Sequence, residues 1–222
     1  MTEPVAPLAY RTVLFDLDGT LIDSIELILA SHRHATLEVL GESPSDDVLR
    51  QGIGVPLLTQ MRTLDESRAD ALVTAYRSFN HRMHDELLRP YEGLLELCAT
   101  LREEGAVLGV VTSKSLPVVE MAFARLAFGP LLDVVVTSDQ TEHHKPRPEP
   151  ILEALRRLGR DTTGACYVGD SPFDLQAAHA AGVDAIGVGW GAFTADELRA
   201  EHPVAVARTP EELSEVLHGT RG

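Results

Sequence analysis

The chain has 222 residues, 44% hydrophobic and 24% charged, which suits one large packed domain or one domain with an insertion and excludes wholesale disorder. A formal charge of -15 argues against nucleic-acid and anionic-membrane partners, because no basic face exists to displace counterions or meet lipid headgroups. Cys98 and Cys166 are too few for a disulfide framework, so a reducing, cytoplasmic setting is expected.

Residues 1–11 show no export-signal pattern, and no apolar run has the length of a membrane helix. Residues 11–15 (Arg-Thr-Val-Leu-Phe) read as a short strand ending at Asp16-Leu17-Asp18-Gly19-Thr20. From about Ser24 to Arg89 the apolar residues recur at helical spacing. Ile25, Leu29, Ala35 and Val39 share one helix, closed by Gly41 and Pro44, and a last long helix spans 65–89 with Pro90 as its stop. Beyond Pro90, apolar runs at 107–111, 134–137, 166–168 and 185–188 read as buried parallel strands. Amphipathic helices are expected at 94–104, 116–127, 149–158 and 173–181. The pattern predicts an α/β fold, a doubly wound, Rossmann-like parallel sheet (residues 1–21 and 90–222) with an inserted α-helical cap (22–89).

Ligands of such sheets bind beyond the carboxyl ends of the strands, and four polar clusters sit there. They are Asp16 to Thr20, Thr112-Ser113-Lys114, Lys145-Pro146 at the opening of a helix, and Gly169-Asp170-Ser171-Pro172-Phe173-Asp174. Converging carboxylates from Asp16, Asp18, Asp170 and Asp174 repel one another and call for a hard dication, for which Mg2+ suits an all-oxygen set. The chemistry these groups fit is phosphoryl transfer. Asp16, beside the cation and Lys145, stays ionised as a nucleophile; Asp18 is the acid and base. Thr112 and Ser113 offer donors to phosphate oxygens, and Lys145 offers positive charge.

Over roughly residues 12–188 these motifs resemble those of haloacid dehalogenase superfamily phosphatases with a helical cap, the phosphoglycolate phosphatase-like subgroup. The resemblance implies that Asp16 is phosphorylated, that Asp18 is the general acid/base and lends its backbone carbonyl to the metal, and that Thr112 and Lys145 are the second and third motifs. It also implies that Asp170 is a direct Mg2+ ligand and Asp174 a direct or indirect one. Dehalogenases of this superfamily work without the second aspartate, and phosphonatases need a cap lysine; no lysine lies between Thr12 and Val111.

The expected substrate is a small phosphorylated metabolite. Phosphoglycolate, pyrophosphate and a sugar phosphate remain open, a non-enzymatic binding module is disfavoured by the intact Asp16 and Asp18, and the chain is expected to be a monomer or homodimer. Arg50 on a cap loop and Lys114 are the candidates for gripping the rest of the substrate. His81 and His84, one turn apart, read as a surface helix face. His143 and His144 read as a solvated loop, and Cys98 and Cys166 as core thiols.

Overall fold

The computed structural model describes residues 8–219. The run Thr-Val-Leu-Phe forms strand β1 (Thr12–Phe15), buried throughout, as β-branched and aromatic side chains suit a pleat covered on both faces. A turn leads to β2 (Ile22–Asp23), and four helices follow: α1 (Ile25–Leu40), α2 (Asp46–Arg50), α3 (Leu57–Leu64) and α4 (Ala69–Leu87). The chain returns through β3 (Arg89–Pro90), which pairs antiparallel with β2, Ile22 opposite Pro90 and Asp23 opposite Arg89. This two-stranded ribbon, absent from the sequence reading, carries both chain crossings between the helical block and the sheet.

Regular alternation then gives α5 (Leu94–Glu103), β4 (Val107–Val111), α6 (Leu116–Arg125), β5 (Val134–Val136), α7 (Glu149–Leu158), β6 (Ala165–Gly169), α8 (Pro172–Ala181), β7 (Asp184–Val188), α9 (Ala195–Arg199), β8 (Ala205–Ala207) and α10 (Pro210–Leu217). Six strands form one sheet in the order β5-β4-β1-β6-β7-β8, every pairing parallel. The fold is a doubly wound, Rossmann-like α/β sheet.

Alternation along each strand divides the core. Val13, Phe15, Cys166 and Val168 face one layer with Leu97 and Leu101 of α5 and Leu213 and Leu217 of α10. Leu14 and Tyr167 face the other, with Ile151 and Leu155 of α7 and Leu175 of α8. Burying each such leucine or valine contributes about 1.5–3 kcal/mol. The helical block has its own centre in Ala35, Met61, Leu72 and Tyr76.

Helix ends follow local chemistry. Gly41 closes α1 in the left-handed region at φ 84°, its N–H donating to the Leu37 carbonyl. The helix expected from residue 65 begins later. Asp65 accepts from the Arg68 N–H at 2.9 Å and caps a 3-10 turn over Glu66–Arg68, so α4 starts at Ala69. β8, α9 and α10 add to the sequence reading, which ended at Val188. Among the described residues no helix is long and apolar enough to cross a membrane. The expectations for residues 1–7 lie outside the described residues.

Candidate active site

β1 is flanked by β4 on one side and β6 on the other, so the chain order reverses at its carboxyl end and opens a crevice there. Asp16 is the first residue past β1. Its N–H donates to the Val168 carbonyl at 2.8 Å, which holds the backbone in line with the sheet and only 3% of the residue exposed. Lys145 comes from the turn after β5; α7 begins only at Glu149, so Lys145 sits in a loop rather than opening the helix. Its Nζ donates to Asp16 Oδ1 at 2.8 Å, to Asp174 Oδ1 at 2.6 Å and to the Tyr167 hydroxyl at 3.2 Å.

Gly169-Asp170-Ser171-Pro172-Phe173-Asp174 folds as the end of β6 and the start of α8. Ser171 caps the helix, Pro172 occupies its first turn, and Asp174 completes a reciprocal capping box with Ser171. Asp174 Oδ2 accepts from the Ser171 N–H at 3.0 Å and hydroxyl at 2.5 Å. With its other oxygen on Lys145, Asp174 is a strut that holds the lysine against Asp16. Asp170 accepts from the Thr20 hydroxyl at 3.2 Å and the Ala192 N–H at 2.6 Å. Gly19 and Gly191 press so closely on Asp170 that a Cβ on either would collide with its carboxylate; at Gly19 the φ of 72° adds a second reason for glycine.

The carboxylates of Asp16, Asp170 and Asp174 lie with ligand oxygens within 4.8 Å of one another, all three residues buried. Burial pushes the Asp16 carboxyl up to about 7, Lys145 opposes this, and the neighbouring Asp174 and Asp18 add to the rise. Lys145 alone does not outweigh this desolvation; the expectation that Asp16 stays ionised joined Lys145 to a bound cation, which would favour the charged form further. Asp170 is raised well above the ordinary range, by burial first and then by Asp174 and Asp16. Burial opposes the charge on Lys145, yet Asp16 and Asp174 hold it well above the usual lysine range. Three buried carboxylates around a single ammonium leave an excess of negative charge, and their hard oxygen donors fit Mg2+. Asp16 and Asp170 are the residues best placed to hold it, since Asp174 is spent on Lys145 and Ser171.

Asp18 points elsewhere. Its carboxylate accepts from Lys114 Nζ and the Ser24 hydroxyl, which leaves only its backbone to serve a cation at the Asp16 side. Thr112, 5% exposed, accepts from the Lys114 N–H at 3.2 Å. The Ser113 hydroxyl, expected on the phosphate, instead donates to the Gly54 carbonyl at 2.6 Å and ties the helical block to the sheet. A cavity of about 200 Å³ spreads from Asp16, Asp18 and Thr112 to α4, where Arg77 and His81 form part of its wall.

Arg50 is the clearest correction. It ends α2, lies 3.6 Å from Asp47 Oδ1, and is absent from the cavity wall. At the end of α2 it is half-buried, beside its own acidic neighbour Asp47 and within electrostatic reach of Glu197 of α9. The surface-face reading of His81 and His84 holds for His81, exposed at the cavity wall, and fails for His84, which is buried with its Nδ1 2.9 Å from Asp85 Oδ1. His143 and His144 are half-buried, and both cysteines are core thiols. Burial pushes the Cys98 thiol up to about 12, which makes it inert.

Sequence reasoning missed Tyr167, Ser24, Ala192 and Arg77, and gave Thr20 as part of the first polar cluster without a role of its own. Tyr167 alone carried a signal, as the polar-tipped residue of an otherwise apolar central strand. Its hydroxyl donates to the Val111 carbonyl at 2.7 Å and so presents a lone pair to Lys145.

A carboxylate cluster on a buried lysine at the switch point of a parallel sheet defines a phosphate-cleaving hydrolase. The chain belongs to the haloacid dehalogenase-like hydrolase family, whose sequence pattern it matches over residues 13–188. It is 41% identical over 210 residues to the pyrophosphatase PpaX of Bacillus velezensis, covering 94% of this chain and 95% of that one. Among solved structures, a candidate haloacid dehalogenase-like hydrolase from Bacteroides fragilis superposes with a TM-score of 0.85 at 26% identity, over 92% of this chain and 99% of that one. A candidate phosphoglycolate phosphatase from Lactobacillus plantarum gives 0.81 at 27% identity, over 93% and 99%. The protein is a phosphatase of this family.

Proposed function

We propose that the protein is a Mg2+-dependent hydrolase of inorganic pyrophosphate that works through a phosphorylated Asp16. The observation that carries this is the state of Asp16: Lys145 holds Oδ1, no donor among the described residues holds Oδ2, and the residue lines the cavity. Oδ2 is the atom free to attack. A bond forms from it to phosphorus while the bond to the leaving oxygen breaks, and Asp18, once protonated, gives that oxygen its proton. Asp18 then takes a proton from the water that cleaves the aspartyl phosphate. Thr112 and Lys145 steady the phosphoryl oxygens. Bound Mg2+ would neutralise charge on the transferred group, held by Asp16, Asp170 and the Asp18 carbonyl.

The pyrophosphate reading draws on the PpaX likeness, which extends over nearly the whole of both chains. A small carboxylated monoester such as phosphoglycolate is the second reading, favoured by the likeness to the Lactobacillus plantarum structure. The helices between β2 and β3 act as a cap that closes the site and expels water, with the Ser113 to Gly54 bond as its latch. Phosphate release from pyrophosphate, phosphoglycolate and p-nitrophenyl phosphate with Mg2+ ranks the substrates. Asp16→Asn should abolish turnover of all three and leave the melting temperature nearly unchanged; residual activity within about tenfold of wild type overturns the nucleophile.

A further inference from the structure

We propose that Arg77, with His81 one turn further along α4, receives the second anionic group of the substrate and thereby sets which phosphate compounds are accepted. The inference rests on the phosphohydrolase reading and adds the substrate class: small molecules with a phosphoryl group at one end and a phosphate or carboxylate at the other.

The basic side chains around the site divide into two kinds. Lys145, outside the cavity wall, is spent on Asp16 and Asp174, and Lys114, on the wall, on Asp18, so both neutralise acids of the chemistry itself. Arg77 and His81 are different, for neither has an ion-pair or hydrogen-bond partner among the described residues. Acidic residues outnumber lysine and arginine in this chain by 34 to 19. Arg33, Arg50, Arg156 and Arg199, all open to solvent in part, each have a carboxylate within 3.6 Å. An unpaired guanidinium on a wall shared with Asp16 is held in readiness for an anion from outside.

Position supports the same conclusion. Residues 77 and 81 are four apart and share a face of α4. The neighbouring Tyr76 and Asn80 are buried, and Asn80 Nδ2 donates to the Ser31 hydroxyl of α1 at 3.1 Å, which fixes the rotation of α4. The cavity wall also carries apolar side chains, Ile28, Val55 and Leu57 among them. A cavity of about 200 Å³ is small enough that a compact substrate with its phosphorus at Asp16 spans toward α4. Phosphate and carboxylate both match the two-point fork of arginine.

The test is kcat/KM for pyrophosphate, phosphoglycolate and p-nitrophenyl phosphate in wild type, Arg77→Gln and Arg77→Lys, with melting temperatures as a folding control. Arg77→Gln should lose roughly 10- to 100-fold on the preferred doubly anionic substrate, mainly through KM, and less than about threefold on the aryl phosphate. Arg77→Lys should recover part of that loss. Equal losses on all three substrates, or none on any, overturn the assignment. The wild-type ranking separately tests the substrate reading: a wild type without preference for either doubly anionic compound refutes that reading, while the variant-to-wild-type ratios still judge Arg77.

Discussion

Replacing Lys145 by Met removes the only cation in the buried cluster and keeps the volume of the side chain. Its Nζ lies 2.8 Å from Asp16 and 2.6 Å from Asp174. At an effective dielectric of about 20, a pair at about 2.7 Å has a gross attraction of roughly 6 kcal/mol. Much of that is offset by desolvation, so the net loss from stranding the carboxylates is about 3–5 kcal/mol. For a chain of this size that corresponds to a fall of roughly 6–20 °C in melting temperature. The sign with pH is fixed by the carboxylates. Asp16 and Asp170 are already raised by burial, and loss of Lys145 raises them further. A raised carboxylate makes the folded state hold protons that the unfolded chain has released, so the variant loses stability as pH rises from 5 to 8. Thermal unfolding by circular dichroism in metal-free buffer at both pH values reads the effect. A fall below about 3 °C at pH 8, or a deficit that does not shrink at pH 5, would refute the reasoning.

Mg2+ competes with protons for the same oxygens, so it should raise the melting temperature more at pH 8 than at pH 5; an equal rise at both would contradict the shared site. His32 is buried, and burial depresses it to about 4 against a smaller opposing pull from Gln60. Between the ordinary histidine value and about 4 the unfolded chain takes a proton that the folded state refuses, so stability falls as pH falls, by about 2 kcal/mol from pH 7 to 5. His32→Leu should flatten that acid slope in urea titrations, and an unchanged slope would exclude His32 as its source.

The sheet was legible because its strands are buried on both faces and so read as unbroken apolar runs, as at residues 107–111 and 166–168. The ribbon of β2 and β3 was not, because two-residue strands carry no periodicity. In the site, Asp16, Thr112 and Asp170 were legible because each directly follows a strand whose register fixes it, and Lys145 because it falls in the loop between β5 and α7. Arg50 and Arg77 were beyond reach for a different reason: each is an arginine on a short or amphipathic helix, and only the packing of the helical block decides which one lines the cavity that Asp16 lines. Ser113 shows the same limit at smaller scale. Its place after β4 was evident, but the choice of Gly54 as partner depends on how the helical block comes down on the sheet.

The use of lysine at position 145 also has a structural reason. The chain has 19 basic residues, and all but Lys114 and Lys145 are arginines. An ammonium has three donors in a tetrahedral arrangement, and Lys145 Nζ uses them on Asp16, Asp174 and Tyr167. These acceptors lie in three directions around one atom that is almost fully enclosed, its side chain 1% exposed. A guanidinium is planar, larger and carries five donors, so it would satisfy two carboxylates edge-on and leave further N–H groups buried without acceptors. Unpaired buried donors cost about 1–3 kcal/mol each. The compact charge therefore goes where the acceptors converge on a point. The planar fork goes to α4, where an anion approaches from open space.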